Sequence, residues 1–180
     1  MHKLRNSIWV AIAVMACSSA CHRAGTFEPE IIGSARFSNQ VHEAILLLKT
    51  RDPDAYVIIT NYVGRIKEAN HSGMWAYKTP PTYEMTDETA FYSLTWCAAT
   101  MAHDSFHSKL YLDYQQAHDG DVPDAVWTGT VAERECMKHQ LEVMKRIGAT
   151  QGEIDYAKQQ ANGHYVKDHE TWEDYNKRNW

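Results

Sequence analysis

The chain has 180 residues, with 18 Lys and Arg, 23 Asp and Glu, ten His, four Cys and a formal charge of −5. That length is ample for one domain with a real core, and an apolar content of 44% excludes global disorder. The acidic balance argues against a nucleic-acid-binding surface, which needs a basic patch, while ten histidines direct the search to metal-ligand spacing.

Residues 1–21 read as an address rather than as fold. Lys3 and Arg5 make a short basic start, and Ile8 to Ala16 is an unbroken apolar run. The run is too short to cross a bilayer as a helix and suits the apolar region of a signal peptide. Val14-Met15-Ala16-Cys17 resembles the lipobox of bacterial lipoproteins, with Met15 as the departure from that pattern. The resemblance implies lipidation at Cys17 and a membrane-anchored protein outside the cytoplasm, periplasmic or at the cell surface. Cleavage after Ala20 would instead release a secreted protein, and a retained anchor is a third arrangement; all three are extracytoplasmic. Residues 1–16 are therefore expected to be removable. Their loss takes away Lys3 and Arg5 and no acid, so −5 becomes −7. Residues 17–37, with Gly, Ser and Pro and few apolar groups, read as a tether. Residues 38–180 read as a single domain.

In chain order, Ser38 is placed to cap a helix carrying Val41, Ala44, Ile45 and Leu48 at helical spacing. Asp52-Pro53 opens a second helix with Tyr56, Ile59, Val63 and Ile66 on one face. The β-branched run Tyr56 to Thr60 makes a strand there a direct competitor. His71-Ser72-Gly73 breaks the pattern. Met74 to Lys78 and Thr82 to Met85 then flank Thr79-Pro80-Pro81 as two short extended pieces, a small hairpin. Thr86 or Asp87 caps a long helix with Leu94, Cys97, Met101 and Leu110 in its stripe. A polar loop follows from Gly120 to Gly129. A further helix begins near Thr130, carries Val131, Met137, Leu141, Met144 and Ile147, and stops at Gly148. Thr150 caps another, Gln151 to about Gln160, ended by Asn162-Gly163, and His164 to Trp180 reads as a last aromatic-rich helix. The expected fold class is mainly α, a compact helical domain with a small β-hairpin beside the longest helix.

The chemistry concentrates in His103-Asp104-Ser105-Phe106-His107. Two His four residues apart on a helix project from one face, a spacing that lets two imidazoles share one zinc ion. In the HExxH motif the residue after the first His is a Glu that activates the attacking water; here it is Asp104, with the same carboxylate on a shorter side chain. A catalytic zinc takes a third protein ligand, and Glu133 is the best placed, since it recurs at helical spacing with Met137, Gln140, Leu141 and Met144. A carboxylate on a core face is costly unless paired or metal-bound. Gln140 is placed to support the ligands by hydrogen bonding. Glu135 falls on the solvated side.

His103-Asp104-Ser105-Phe106-His107 on one helix with Glu133 on the next resembles a zincin metallopeptidase, nearest the gluzincin-like branch. The match covers about residues 87–147. The resemblance implies Zn2+ held by His103, His107 and Glu133, Asp104 as general base, and a peptide or protein substrate. The extended pieces from Met74 to Met85 match the edge strand on which zincins often hold substrate by strand addition. The competing class is a non-catalytic envelope lipoprotein that keeps the fold, with or without a structural metal, for binding or assembly.

Other residues carry less. His118 is a ligand candidate if Glu133 is not one, and His139 is expected to be exposed. His164 and Tyr165 are candidates to donate to an oxyanion but read more simply as core or surface aromatics. Ser105 and Ser108 lack a base and orienting partner, which argues against a serine hydrolase. In an oxidising compartment Cys97 and Cys136 are expected to form a disulfide tying the two ligand-bearing helices; the alternatives are two buried free thiols and, less favoured, a thiol taking part in the metal site.

Overall fold

The computed structural model describes residues 27–164, with side chains through residue 160. The signal-like start, Cys17 with its expected lipidation, Cys21, Tyr165 and the aromatic stretch to Trp180 lie outside the described residues.

Folding begins earlier than Ser38. Strand β1, Glu30–Ile32, and the start of helix α1, Ala35–Arg51, occupy the end of the stretch expected to be a tether. Ser34, not Ser38, caps α1, its Oγ accepting from the Phe37 amide at 3.2 Å. The reason is Phe37: it is fully buried and extends the apolar stripe of Val41, Ala44, Ile45 and Leu48 by one turn. Asp52 caps α2, Pro53–Tyr62, with Pro53 in its first turn. The β-branched run from Tyr56 to Thr60 is therefore helical. The cap and the burial of Ala55, Ile59 and Thr60 against the rest of the fold outweigh local strand preference.

Three strands follow: β2, Arg65–Glu68; β3, Gly73–Trp75; and β4, Thr82–Met85. The sheet order is β1-β2-β4-β3, with β1, β2 and β4 mutually parallel and β3 antiparallel to β4. The expected hairpin exists as β3–β4, with Met74 opposite Tyr83, and it forms one end of a larger sheet. All four residues of β4 are buried.

The long helix expected from residue 87 is two helices. Thr86 caps the short α3, Asp87–Phe91, and Ser93 caps α4, Leu94–Ala117, by accepting from the Trp96 amide at 2.9 Å. The polar loop contains a one-turn helix, α5, Asp124–Trp127. Helix α6, Gly129–Ile147, ends at Gly148, whose φ of 81° is the left-handed conformation that stops a helix. Thr150 and Glu153 then make a reciprocal cap at the start of α7, Gln151–His164, which runs past Asn162-Gly163. Helix α4 is the centre of the molecule, packed against α1, α2 and α6 and against the β3–β4 end of the sheet. No helix among the described residues is long and apolar enough to cross a membrane.

The expected disulfide is absent: Cys97 and Cys136 are both buried free thiols. The Cys97 Sγ faces Met85 Sδ at 3.9 Å, on the sheet side of α4. Cys136 lies beside His107, ten residues further along α4. The two sulfurs thus have different neighbours, ten residues apart along α4.

Candidate metal centre

Helix α4 carries an apolar face too wide to be a surface helix. From Trp96 to Ser105 every residue is buried, so polar residues in that span must be satisfied inside the protein. His103 lies in that span and His107 one turn beyond it, at 1% and 6% exposure, with their ring centroids 4.9 Å apart. The first half of α6 presses Glu133 against them. Its Oε2 is 3.3 Å from His103 Nε2 and 3.5 Å from His107 Nε2, and the two Nε2 atoms are 3.1 Å apart. Three candidate ligand atoms therefore form a small triangle, one from each residue that the sequence singles out. Atoms bound tetrahedrally at the usual 2.0–2.1 Å from zinc lie about 3.3–3.4 Å from one another. The three observed separations fall around that value.

The donor chemistry agrees with the spacing. His107 Nδ1 lies 2.6 Å from the Trp127 carbonyl of α5. A carbonyl only accepts, so this nitrogen carries the proton, and in the neutral ring the Nε2 lone pair points into the triangle. A carboxylate and an imidazole lone pair converging in a buried place call for a cation. Burial opposes charge on Glu133, yet His107 and His103 hold its carboxyl well below the usual carboxylate range. Burial likewise opposes charge on His107, yet Cys136 and Glu133 hold it well above the usual imidazole range. Either a proton or a divalent ion answers the same electrostatic demand.

Asp104 is buried at 3% exposure, within electrostatic reach of His103, His107 and Glu133 and against Tyr83 of β4. Burial pushes its carboxyl up to about 6, against the pull of the two imidazoles. Gln140 is fully buried on α6, and neither atom of its amide has a hydrogen-bond partner among the described residues, so the expected support of the ligands through this amide is not made. His118 is exposed at the end of α4, stacked on Tyr114, and is not part of the triangle. His139, expected to be exposed, is instead partly buried and stacked on Phe106 with ring centroids 4.8 Å apart. Glu135 is exposed as expected.

Sequence reasoning missed two contributors. The Trp127 carbonyl comes from a segment read as polar loop, and a backbone atom leaves no residue-type signal; the only hint was a Trp in polar surroundings. Tyr83, fully buried beside Asp104, was read only as part of an extended piece. Trp127 also meets Tyr77, after the edge strand, and Tyr111 of α4 edge-on, at 6.2 and 5.3 Å between centroids. An aromatic wall thus runs from the β3 end of the sheet to the carbonyl that orients His107.

No protein-family model, curated protein or solved structure matches this chain. Its chemistry is read from the site.

Proposed function

We propose that the chain is a zinc-dependent peptidase of zincin type, acting outside the cytoplasm on a peptide or protein substrate. The observation that carries the proposal is the convergence of His103 Nε2, His107 Nε2 and Glu133 Oε2 at 3.1–3.5 Å from one another. These three residues would hold the ion, which supplies a Lewis acid for the scissile carbonyl. Asp104 accepts the proton of the attacking water. A carboxyl raised to about 6 is ionised in most molecules at neutral pH and still basic enough for that transfer. Trp127, through its carbonyl, fixes the tautomer and orientation of His107. Strand β3 ends the sheet and packs on α4, so an extended peptide would add along its outer edge. The extracytoplasmic part of the proposal rests on the signal-like start and the lipobox-like Val14-Met15-Ala16-Cys17.

A second reading is favoured by one observation, the burial of the ligand side chains at 1%, 8% and 13% exposure. A site that deep suits a metal retained for structure in a binding or assembly protein. Metal analysis of the purified chain tests what the two readings share: about one zinc per chain is expected, lost in a His103→Ala, His107→Ala double variant. A metal-free wild type sinks the peptidase. Peptide-library cleavage by wild type, abolished in Asp104→Ala with zinc content unchanged, separates them; a zinc-loaded wild type that cleaves nothing leaves the second reading.

A further inference from the structure

Tyr77 has no role in the chemistry above, yet it stands between the sheet edge and the candidate metal centre. It follows Trp75, the last residue of β3, by two positions, and the two rings meet edge-on with centroids 6.0 Å apart. The Tyr77 ring also meets that of Trp127, 6.2 Å away. Trp127 is buried, held by the Tyr111 ring at 5.3 Å, and its carbonyl orients His107. Tyr77 is thus one ring removed from the residue that braces a candidate ligand. Even so, 54% of it is exposed. The polar groups beside it are already engaged. Trp75 Nε1 donates to Glu84 at 3.0 Å, and Lys78 Nζ lies 3.5 Å from the same carboxylate and 4.3 Å from the centroid of the Trp75 ring. What this corner offers a ligand is an aromatic surface held in place by two tryptophans.

We infer that Tyr77 is a specificity residue: with Trp75 and Trp127 against it, it forms the subsite for a bulky apolar or aromatic side chain of the peptide substrate. This rests on the peptidase reading proposed above and names the class of peptide that such an enzyme would cleave. A peptide added along the outer edge of β3 would run past Trp75 to Tyr77 at the end of the strand. Helix α4, on which β3 packs, carries His103 and His107. A side chain within two residues of the scissile bond would then meet the Tyr77 ring. Two ring contacts hold that ring before substrate arrives, so little conformational freedom is lost on binding. Aromatic and branched apolar groups gain most there, by leaving water and by edge-to-face contact with the ring.

Cleavage of a mixed-sequence peptide library by the zinc-loaded full chain, with cut sites mapped by mass spectrometry, tests this. Wild type is expected to cut where Phe, Tyr, Trp or Leu occupies one fixed position within two residues of the bond. Two peptides that differ only there, Phe against Ala, then give the kinetics. In wild type the Phe peptide is expected to have about tenfold higher kcat/KM. Tyr77→Ala should erase most of that ratio, mainly through KM, and Tyr77→Phe, which keeps the ring, should retain it. Zinc content and circular dichroism are expected to be equal in all three proteins. A cut-site preference for acidic residues, or no preference, overturns the subsite and leaves the peptidase standing. An unchanged ratio in Tyr77→Ala does the same. Loss of zinc from Tyr77→Ala overturns it as well, by making Tyr77 a structural support of Trp127. A zinc-loaded wild type that cleaves nothing overturns the peptidase reading itself, and the subsite with it.

Discussion

Glu133 is a buried carboxylate facing two imidazoles, and its charge rather than its shape decides what the site holds. Glu133→Gln keeps the volume and removes the charge. Zinc affinity is expected to fall at least tenfold, about 1.4 kcal/mol, in a competition titration against a chromogenic chelator; unchanged affinity would remove Glu133 from the ligand set. His139 shows the opposite situation. Burial, reinforced by Arg146, lowers its pKa to about 4, below the ordinary imidazole value. The unfolded chain therefore takes up the proton first as pH falls. Stability is complete above about pH 6.5 and declines toward pH 4, by about 1–3 kcal/mol if this group acts alone. His139→Gln should flatten that decline in urea unfolding between pH 7 and 5, and an equally steep decline in the variant would place its origin elsewhere. The ligand residues were legible because residue type and i, i+4 spacing are both written in the chain. The half-burial of His139 was not, because Phe106 reaches it from another helix.

At the scale of elements, Glu153 fastens α7 to the start of α4. Its carboxylate accepts from the hydroxyls of Ser93, Thr95 and Thr150 and from the Thr150 amide. Burial alone would raise its pKa, but these hydrogen bonds hold it below the usual carboxylate value. The sign follows: the contribution is present above the ordinary Glu pKa and is lost as pH falls through the lowered one. Glu153→Ala should cost about 2–3 kcal/mol at pH 7, read by chemical denaturation, with a smaller difference at pH 3. A cost below about 0.5 kcal/mol at pH 7 would show that α7 is held by its apolar contacts alone. Several elements were predictable from caps and periodicity, including α6 and the β3–β4 pair; α2 was left between helix and strand, and its expected stripe through Val63 and Ile66 stops at Tyr62, with Ile66 in β2. The break between α3 and α4 was missed because Ser93 interrupts an otherwise helical run. Strand β1 was missed because three residues acquire strand geometry only by pairing with β2.

For the whole molecule, the two sides of the candidate metal centre come from α4 and α6, with α5 bracing His107. An ion bound there would join these elements and be linked to folding. Adding zinc to chelator-treated protein should raise the thermal midpoint. At free zinc about one hundred times Kd the gain is about 2.7 kcal/mol, and it should vanish in the His103→Ala, His107→Ala variant. Equal melting of chelated and zinc-loaded wild type would mean that no such link exists. The free state of Cys97 and Cys136 is also a property of this scale, since it follows from the side of α4 that each thiol meets.

By itself the sequence determined the mainly helical class, the hairpin and the three residues that converge, because caps, apolar period and metal-ligand spacing are local and appear in residue order. Only the tertiary structure decided that β1 belongs to the domain, that the two cysteines stay unpaired, and that the Trp127 carbonyl adjoins His107. Those facts depend on how α4, α5, α6 and the sheet pack. Packing brings together atoms far apart in the chain, including backbone atoms whose positions no residue type records.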